Sequence, residues 1–504
     1  MRCSQLTLFL LKLVRLAESA KPKMIEKFIQ NRIIQCLPFQ ANEGQTELLD
    51  KLSKFITSTE SRKAFILRGY AGTGKTSIMA ALVQSLKQLN QRFVLLAPTG
   101  RAAKVLGRYA GHPAYTIHKY IYRQKQLGEE VFSLNDNLHK HTLFIIDEAS
   151  MISGVREAHG FGSGMLLDDL VKYVYSGEGC SMLTLGDDAQ LPPVGSIISP
   201  ALQADYMHGY QLDIISHTLT QVARQALDSG ILKNATRLRD IALGTTLPKE
   251  ENEVEELWRI LEEKADIKTI TPHELQELIE ASYSEIGGEE ETILLTRTNK
   301  RTNIYNQGIR SKILWREDEI SSGDRIMISK NNYFWTEKYE NLPFLANGDM
   351  LEITRLRNMR EMYGYRFVDA QLRAIDYDWE IDAVLWIDTL YSDSPEATQT
   401  MQRDLFCKIT EDYPELQHNK KELIKTIYQS PYYNALQMRF AYAITGHKSQ
   451  GGQWKRVFID PYKGAASDRS TFCDRSEEVK SFYRWIYTAV TRATEQVYIL
   501  KTES

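Results

Sequence analysis

The chain has 504 residues, of which 43% are hydrophobic and 25% are charged, and its formal net charge is −3. This length exceeds what one hydrophobic core usually holds, so we expect about two to four domains of an ordinary globular protein. The near-neutral charge excludes a protein that is basic over its whole surface, and any nucleic-acid site must therefore be a local groove. The five cysteines lack the spacing of a zinc site or a disulfide framework, which is typical of reduced thiols in a cytoplasmic protein.

The N-terminal apolar segment is too short to predict a membrane span. The run LTLFLLKLV at 6–14 is interrupted by Lys12, and it falls well below the roughly 18 residues that cross a bilayer. No clear cleavage site of small residues follows, so a signal peptide is disfavoured. We interpret residues 1–35 as a leader and helix, with Met24 as an alternative start.

Short apolar runs alternate with a helical pattern through the first 200 residues. Apolar residues recur at helical spacing over 75–90, which predicts a helix. The runs before and after it predict buried parallel strands. They are AFIL at 64–67, RFVLLA at 92–97, TLFIID at 142–147 and MLTLGD at 182–187. This alternation predicts a doubly wound α/β domain.

A second set of apolar runs is interrupted by a long insertion. The runs that predict strands of a second α/β domain are TILLTRT at 292–298, RVFID at 456–460 and QVYIL at 496–500. The intervening chain is too long for one crossover and has short β-like segments separated by turn signals. These segments lie at 324–329, 350–356 and 365–375. We interpret the insertion as a small β-rich module.

GYAGTGKT at 69–76 fits the pattern of a phosphate-binding P-loop. Because the motif follows a predicted strand and opens a predicted helix, its backbone N–H groups can surround phosphates at a helix N-terminus. Lys75 would reach the β- and γ-phosphates, and the hydroxyl of Thr76 would hold Mg²⁺. The remaining cradle residues are Gly72, Thr73 and Gly74. The motif therefore predicts ATP and Mg²⁺ as cofactors, and the alternative is a glycine-rich turn that binds nothing.

Two adjacent acids end the predicted strand in LFIIDEAS at 143–150. Asp147 would hold Mg²⁺, and Glu148 would orient and deprotonate the attacking water. Paired acids at a strand end are often only structural, but their position after a P-loop favours catalysis. A nucleotide switch can hold Mg²⁺ with the aspartate alone, so Glu148 is the residue that indicates hydrolysis.

From about residue 36 onward the chain resembles the RecD/Dda branch of the superfamily-1 helicases. The resemblance is dense in two motor domains and weak in the inserted module. The segments that carry it, in addition to the two motifs above, are NEGQTELLDKL at 42–52, APTGRAA at 97–103, TIH at 116–118, GDDAQLPPVG at 186–195, LTQVARQ at 219–225, AITGHKSQGGQW at 443–454 and YTAVTRA at 487–493. The ending QLPPVG resembles the branch of the family that moves 5′ to 3′.

The resemblance implies roles in the ATP site. Gln45 would read the adenine with its amide, and Gln190 would sense the γ-phosphate and connect hydrolysis to the grip on DNA. Arg224 and Arg492 would neutralise charge on the transferring phosphoryl group, Arg492 as an arginine finger from the second domain. Gly451 would contact the nucleotide across the cleft. Seen alone, Gln45 and the two arginines would be interpreted as ordinary surface.

The resemblance also implies contacts with the DNA backbone. The residues expected to make them are Pro98, Thr99, Thr116, His118, Thr298, Asn299, Thr445, His447 and Lys448. For TRTNKRTN at 296–303, a basic surface without a ligand is the alternative. Gln453 stands where many relatives carry an acidic or hydroxyl residue, which puts the sugar preference of the nucleotide site in doubt.

We therefore predict an α/β fold with two RecA-like P-loop domains, an inserted hairpin that serves as a pin, and an inserted SH3-like β module. Phe132 is the candidate wedge of the pin, and a plain surface hairpin is the alternative. The expected ranges are 1–35 for the leader, 36–118 and 141–200 for the first domain, 119–140 for the hairpin, 201–318 and 437–504 for the second domain, and 319–436 for the module.

The predicted function is ATP-dependent 5′-to-3′ translocation on single-stranded DNA with unwinding of duplex DNA, in DNA repair, recombination or replication. One chain supplies both domains of the ATP site, which predicts activity as a monomer on single-stranded and forked DNA, without a membrane. A translocase that does not unwind needs the same motifs, and an RNA substrate stays open because backbone contacts need not reject the 2′-OH. A nucleotide-controlled clamp is disfavoured by Glu148, Gln190 and Arg492.

Overall fold

The computed structural model describes residues 22–501 apart from 125–131, 157–161, 223–227, 249–251, 337, 340–343, 376–378, 393–394, 417 and 463–474. No helix within these ranges is long and apolar enough to cross a membrane.

The first part of the chain forms a parallel α/β domain. Its elements are α1 (Pro22–Cys36), α2 (Glu43–Thr57), β1 (Lys63–Gly69), α3 (Lys75–Gln88), β2 (Phe93–Ala97), α4 (Gly100–Ala110), β3 (Ala114–Thr116), α5 (Ile117–Ile121), β4 (Tyr122–Gln124), β5 (Phe132–Leu134), β6 (Leu143–Ile146), α6 (Leu166–Ser176), β7 (Ser181–Gly186), α7 (Ala204–His208) and β8 (Asp213–Leu219), with 3₁₀ turns at Ala149–Met151 and Pro200–Leu202. Six strands form one sheet in the order β3–β2–β6–β7–β1–β8, and all their pairings are parallel. The four apolar runs expected to be strands are confirmed.

The central strands of this sheet are buried on both faces. In β1, Phe65 and Leu67 pack with α1–α3, whereas Ile66 packs with the core on the opposite face. All three side chains are fully buried. Successive side chains of a strand point to opposite faces, so a strand covered by helices on both sides reads as a continuous apolar run.

The first sheet extends farther along the chain than expected. β8 pairs with β1, with Lys63 opposite Asp213 and Gly69 opposite Leu219. The expected boundary at residue 200 is therefore wrong, because 201–219 complete the first domain. The strand was hidden because the polar Ser216 and His217 interrupt its apolar pattern.

A two-stranded hairpin branches from this domain after α5. β4 and β5 pair antiparallel, with Tyr122 opposite Leu134. The strands lie where the pin was expected, and the expected tip at 125–131 lies outside the described residues. A role in strand separation stays a prediction.

The remainder of the chain forms a second parallel domain with an antiparallel module inserted into it. The elements are α8 (Gly230–Ala242), α9 (Glu253–Ile260), β9 (Ile267–Ile270), α10 (Pro272–Tyr283), β10 (Thr292–Thr296), α11 (Asn299–Gly308), β11 (Arg325–Ile328), β12 (Met350–Met362), β13 (Tyr365–Ala374), β14 (Glu380–Trp386), α12 (Pro395–Glu411), α13 (Lys420–Tyr428), β15 (Met438–Phe440), β16 (Ala443–Thr445), β17 (Trp454–Ile459), α14 (Arg475–Val490) and β18 (Ala493–Leu500), with a π turn at Ile309–Ile313 and 3₁₀ turns at Ile387–Tyr391 and Pro414–Leu416. The parallel sheet has the order β16–β10–β17–β18–β9, and the antiparallel sheet has the order β14–β13–β12–β11–β15. Two α/β domains are thus confirmed.

The module joins the second domain through a buried charge. Asp324 is fully buried, and its carboxylate accepts hydrogen bonds from Arg310 at 2.9 Å and from the Tyr442 hydroxyl at 2.9 Å. Phe440 in β15 pairs with Ile326 in β11, so the last strand of the module lies beyond the expected end at residue 436.

The two parallel domains meet beside the P-loop. Ala189 and Leu191 of the first domain belong to the hydrophobic core of the second domain, and Tyr70 and Ala71 pack against that core. These residues follow β7 and β1. The contact therefore lies at the carboxyl ends of parallel strands, where α/β domains bind ligands.

Candidate active site and nucleic-acid groove

The P-loop connects β1 directly to the N-terminus of α3. Gly72 and Gly74 have φ values of 74° and 87°, a left-handed region that residues with a side chain rarely adopt. Lys75 is the first residue of α3, and its ammonium donates to the carbonyl oxygens of Gly69 and Tyr70. The strand, loop and helix expected for a phosphate cradle are all present.

The two predicted acids lie where β6 ends. Glu148 has a φ of 49°, and its backbone N–H donates to the carboxylate of Asp147 at 2.8 Å. Burial, and next to it the charge of Glu148, raise the pKa of Asp147 to about 6, while the nearby Lys75 opposes the shift. A φ of 49° is strained for a residue with a side chain, and such strain concentrates at functional sites.

The residues around the P-loop fit a magnesium ion held together with nucleotide phosphates. No group of three His, Cys, Asp or Glu side chains in the described ranges could hold a metal by protein atoms alone. Thr76 supplies an exposed hydroxyl and Asp147 a carboxylate. Such a short set of oxygen donors is typical of Mg²⁺ sites that phosphates complete.

Gln190 lies after β7, in a segment of the first domain that contacts the second domain. Its side chain is 6% exposed, and its Oε1 atom makes no hydrogen bond to any described residue. The second domain forms hydrogen bonds with both backbone groups of the next residue, Leu191. Its N–H donates to Thr488 Oγ1 at 2.9 Å, and its carbonyl accepts from Gln450 Nε2 at 2.7 Å. The predicted γ-phosphate sensor is therefore part of the domain interface.

Arg492 reaches across this interface toward Glu148. Its side chain is buried, and its guanidinium donates to the carbonyls of Thr488 and Gly452 at 3.1 and 3.3 Å. Nη1 lies 3.9 Å from Glu148 Oε1 in the first domain. The second predicted arginine, Arg224, lies outside the described residues.

The structure gives Gln45 a different set of contacts from those expected. Its side chain is 1% exposed. The amide accepts from the N–H of Asn42 at 3.1 Å and donates to the carbonyl of Thr73 in the P-loop at 3.0 Å. A Cβ on Gly74 would lie 2.8 Å from the same amide nitrogen. Gln45 therefore connects the start of α2 to the P-loop, and in this structure its amide faces the loop.

Gly451 is placed against the first domain near α4. It has a φ of 73°, and a Cβ there would lie 2.7 Å from the Cβ of Ala102 and 3.2 Å from Thr99 Oγ1. Its nearest neighbours thus belong to α4 and its cap, and one of them, Thr99, is a residue expected at the DNA. The turn that contains Gly451 packs on α4 in this conformation, and its expected nucleotide contact stays a prediction.

A groove with a volume of about 510 Å³ runs between the first domain, the module and the second domain. Three of the predicted DNA residues, Thr99, His447 and Lys448, line it. The groove also contains residues that the sequence did not single out, namely Gly100, Arg101, Met151, Ser153, Val155, Arg156, Pro193, Val194, Asn347, Gly348, Asp349, Met350 and Gln450. The lining therefore combines cationic groups with apolar side chains.

Three predicted DNA residues are threonines that cap helices. Thr99, Thr116 and Thr298 accept hydrogen bonds from the N–H groups at the third helical position of α4, α5 and α11, at 3.2, 3.2 and 3.3 Å. Each hydroxyl keeps its O–H as a donor at a helix N-terminus, where anions are favoured. Thr99 alone of the three lines the groove.

The other predicted DNA residues occupy different positions. Pro98 precedes Thr99, Asn299 is the first residue of α11, and Thr445 ends β16. None of these three, and not His118 either, is among the groove residues. Burial lowers the pKa of His118 to about 4, so its imidazole is neutral at pH 7.

Phe132 does not project as a wedge. Its side chain is 8% exposed, and its ring lies 4.5 Å from the ring of Tyr333 in the module. The expectation of an exposed wedge at this position is wrong, because the ring of Phe132, at the end of β5 next to 125–131, is buried against the neighbouring module.

Two family descriptions match the chain. The model of the AAA domain matches residues 40–255, and that of the UvrD-like helicase C-terminal domain matches residues 440–500. The first range contains the P-loop, the acid pair and Gln190, and the second contains Arg492.

Three curated relatives are similar to the chain. The uncharacterized protein R530 of Acanthamoeba polyphaga mimivirus is 26% identical over 90% of this chain and 99% of its own length. The ATP-dependent RecD2 DNA helicase of Deinococcus radiodurans is 29% identical over 38% of this chain and 23% of its own length. The ATP-dependent DNA helicase dda of Enterobacteria phage T4 is 27% identical over 39% of this chain and 42% of its own length.

Proposed function

Because the chain belongs to the superfamily-1 helicases of the RecD/Dda-like branch, we propose that it is an ATP-hydrolysing motor that moves 5′ to 3′ along single-stranded DNA and unwinds duplex DNA. The observation that carries the proposal is Arg492 of the second domain, 3.9 Å from Glu148 of the first. A hydrolysis site completed by the second domain works only when the cleft is closed.

Each residue of the cleft has one chemical task. Lys75 binds the β- and γ-phosphates, and Thr76 and Asp147 hold Mg²⁺, which supplies positive charge at the phosphate oxygens when bound. Glu148 orients the attacking water and accepts its proton. Arg492 stabilises the negative charge of the transferring group, a contribution of about 10³- to 10⁵-fold where it has been measured in other enzymes.

The groove supports single-stranded DNA as the substrate. Arg101 and Lys448 supply positive charge for phosphates, and Val155 and Val194 offer apolar surface to bases. Backbone contacts of this kind do not read sequence. Because Arg101 belongs to the first domain and Lys448 to the second, opening and closing of the cleft changes the width of the groove. That change would convert hydrolysis into steps along the strand.

The proposal predicts that single-stranded DNA stimulates ATP hydrolysis. The test is the steady-state ATPase rate of the full chain alone, with single-stranded DNA, and with RNA of the same sequence, beside a Lys75→Ala variant as the control for contaminating hydrolysis. We expect stimulation by DNA that falls steeply as salt increases. Hydrolysis without stimulation by any single strand would contradict the motor, and stimulation by RNA alone would contradict DNA as the substrate.

A further inference from the structure

The hydroxyl of Tyr487 lies between the two segments of the first domain that face the nucleotide. Tyr487 belongs to α14 of the second domain and is 1% exposed. Its hydroxyl donates to Asp187 Oδ2 at 2.6 Å and accepts the backbone N–H of Ala71, in the P-loop, at 2.9 Å. One atom of the second domain therefore satisfies a polar group in each of two segments across the cleft.

Asp187 extends this contact to the phosphate-binding lysine. Its carboxylate is 1% exposed, accepts the N–H of Ala189 at 3.0 Å, and lies 4.0 Å from Lys75 Nζ. Burial raises the pKa of Asp187, and Lys75 and the hydrogen bond from Tyr487 oppose that shift. A buried carboxylate that loses a hydrogen-bond donor destabilises the folded protein. Asp187 therefore needs either Tyr487 or Lys75 as a close partner.

We propose that Tyr487 is a positioning residue that couples closure of the domain cleft to the phosphate-binding loop, acting through Asp187 and Ala71. With the cleft closed, Asp187 accepts from Tyr487, and the Lys75 ammonium is left for the nucleotide phosphates. With the cleft open, both contacts of the hydroxyl are lost together, and Asp187 competes with the phosphates for Lys75. This inference rests on the proposed ATPase activity and adds a residue to it.

Tyr483 is a matched control one turn earlier on the same helix. It is fully buried, and its hydroxyl donates to the carbonyl of Glu253 at 3.1 Å, within the second domain. Removal of either hydroxyl breaks buried hydrogen bonds of α14, but only the hydroxyl of Tyr487 crosses the cleft. A general loss of stability would therefore affect both variants, whereas a loss of coupling affects one.

The experiment compares Tyr487→Phe and Tyr483→Phe in the full chain by ATPase kinetics with and without single-stranded DNA, beside thermal unfolding. We expect Tyr487→Phe to lower the DNA-stimulated kcat about tenfold, the effect of about one hydrogen bond to a charged group. The KM for ATP should change less than about twofold, because the phosphate contacts remain. Tyr483→Phe should keep its kcat. Equal kcat values for the two variants would overturn the proposal.

A double-substitution cycle tests whether Tyr487 acts through Asp187. If it does, Asp187→Asn combined with Tyr487→Phe lowers kcat no further than the worse single substitution, whereas multiplying effects would contradict the proposed route. If Tyr487→Phe does not fold, Asp187→Asn alone must lower the stimulated kcat, and an unchanged kcat overturns the proposal. A wild-type chain that does not hydrolyse ATP would instead contradict the proposed function itself.

Discussion

At the scale of single residues, the ATP site depends on charges that two domains bring together. Glu148 and Arg492 belong to different domains, and their charged groups lie 3.9 Å apart. The guanidinium of Arg492 is already fixed by the carbonyls of Thr488 and Gly452. In the proposed role, an arginine held in this way would meet the γ-phosphate with little further ordering.

Replacement of Arg492 by lysine should stop hydrolysis without preventing ATP binding. Lysine keeps the positive charge but loses the planar group with several donors, so charge on the transferring phosphoryl group is stabilised poorly. We expect kcat to fall by about 10³-fold or more, with little change in ATP affinity. Arg456→Lys is the control, since Arg456 pairs with Glu285 outside the cleft. A kcat within about tenfold of wild type would contradict an arginine finger at this position.

Binding of single-stranded DNA should weaken at alkaline pH through Lys448. Loss of solvent around the Lys448 ammonium and the charge of Arg439 lower the pKa of this group to about 8. A phosphate favours the charged form, so affinity should be full below pH 8 and should fall as the pH rises above 8. The measurement is fluorescence anisotropy of a labelled oligonucleotide between about pH 7 and 9.5, the range around that pKa.

Lys448→Arg is the control for this pH dependence, since arginine stays charged throughout the range. It should bind DNA with an affinity that hardly changes with pH. An equal loss of affinity in wild type and Lys448→Arg would show that another group titrates.

At the scale of elements, helix N-termini and one hairpin carry the contacts expected with DNA. Thr99 lies just after β2, Thr116 ends β3, and Thr298 lies just after β10. Each cap is therefore at the carboxyl end of a parallel strand. The hairpin β4–β5 is instead anchored on the module through Phe132 and Tyr333. The end of β5 beside 125–131 is therefore held by the module, and we expect any contact with duplex DNA to involve 125–131.

Phe132→Ala should destabilise the protein and should not specifically impair unwinding. Loss of a buried aromatic ring costs about 3–5 kcal/mol, and Phe132 packs against Tyr333. We expect a lower midpoint in urea denaturation, with strand displacement per folded molecule retained at low temperature. Loss of strand displacement with an unchanged midpoint would restore Phe132 as a wedge.

Replacement of residues 125–131 by an Asn-Gly turn should separate unwinding from hydrolysis. The flanking strands have the pairing that a two-residue turn can connect. We expect DNA-stimulated ATPase to stay close to wild type and strand displacement to be lost. Retained strand displacement, or loss of both activities in a folded variant, would contradict the pin.

At the scale of the whole molecule, three structural units share one groove. The first domain, the module and the second domain all contribute lining residues, and Lys448 donates to Asn347 of the module. If the units move relative to each other when the cleft closes, the groove that they share changes its width. A motor requires such an arrangement, whereas a rigid binding protein does not require it.

The sequence predicted the elements with strong local signals and missed contacts between distant segments. The P-loop, the acid pair and the buried strands were found because spacing and apolar runs specify them locally. β8 was assigned to the wrong domain because Ser216 and His217 interrupt its pattern. The exposed wedge expected at Phe132 was wrong because its ring packs on a residue from another unit, and the nucleotide contact of Gly451 stays a prediction. Tyr487 was not singled out, since the sequence does not reveal a hydroxyl that crosses a cleft.

The most direct test of the motor is strand displacement on two forks that differ only in which strand carries the single-stranded tail. With ATP and Mg²⁺, we predict displacement from the fork with a 5′ tail, none from the fork with a 3′ tail, and none by Lys75→Ala. Displacement from the 3′ tail alone, or none from either fork by a protein whose ATPase responds to DNA, would contradict a 5′-to-3′ helicase.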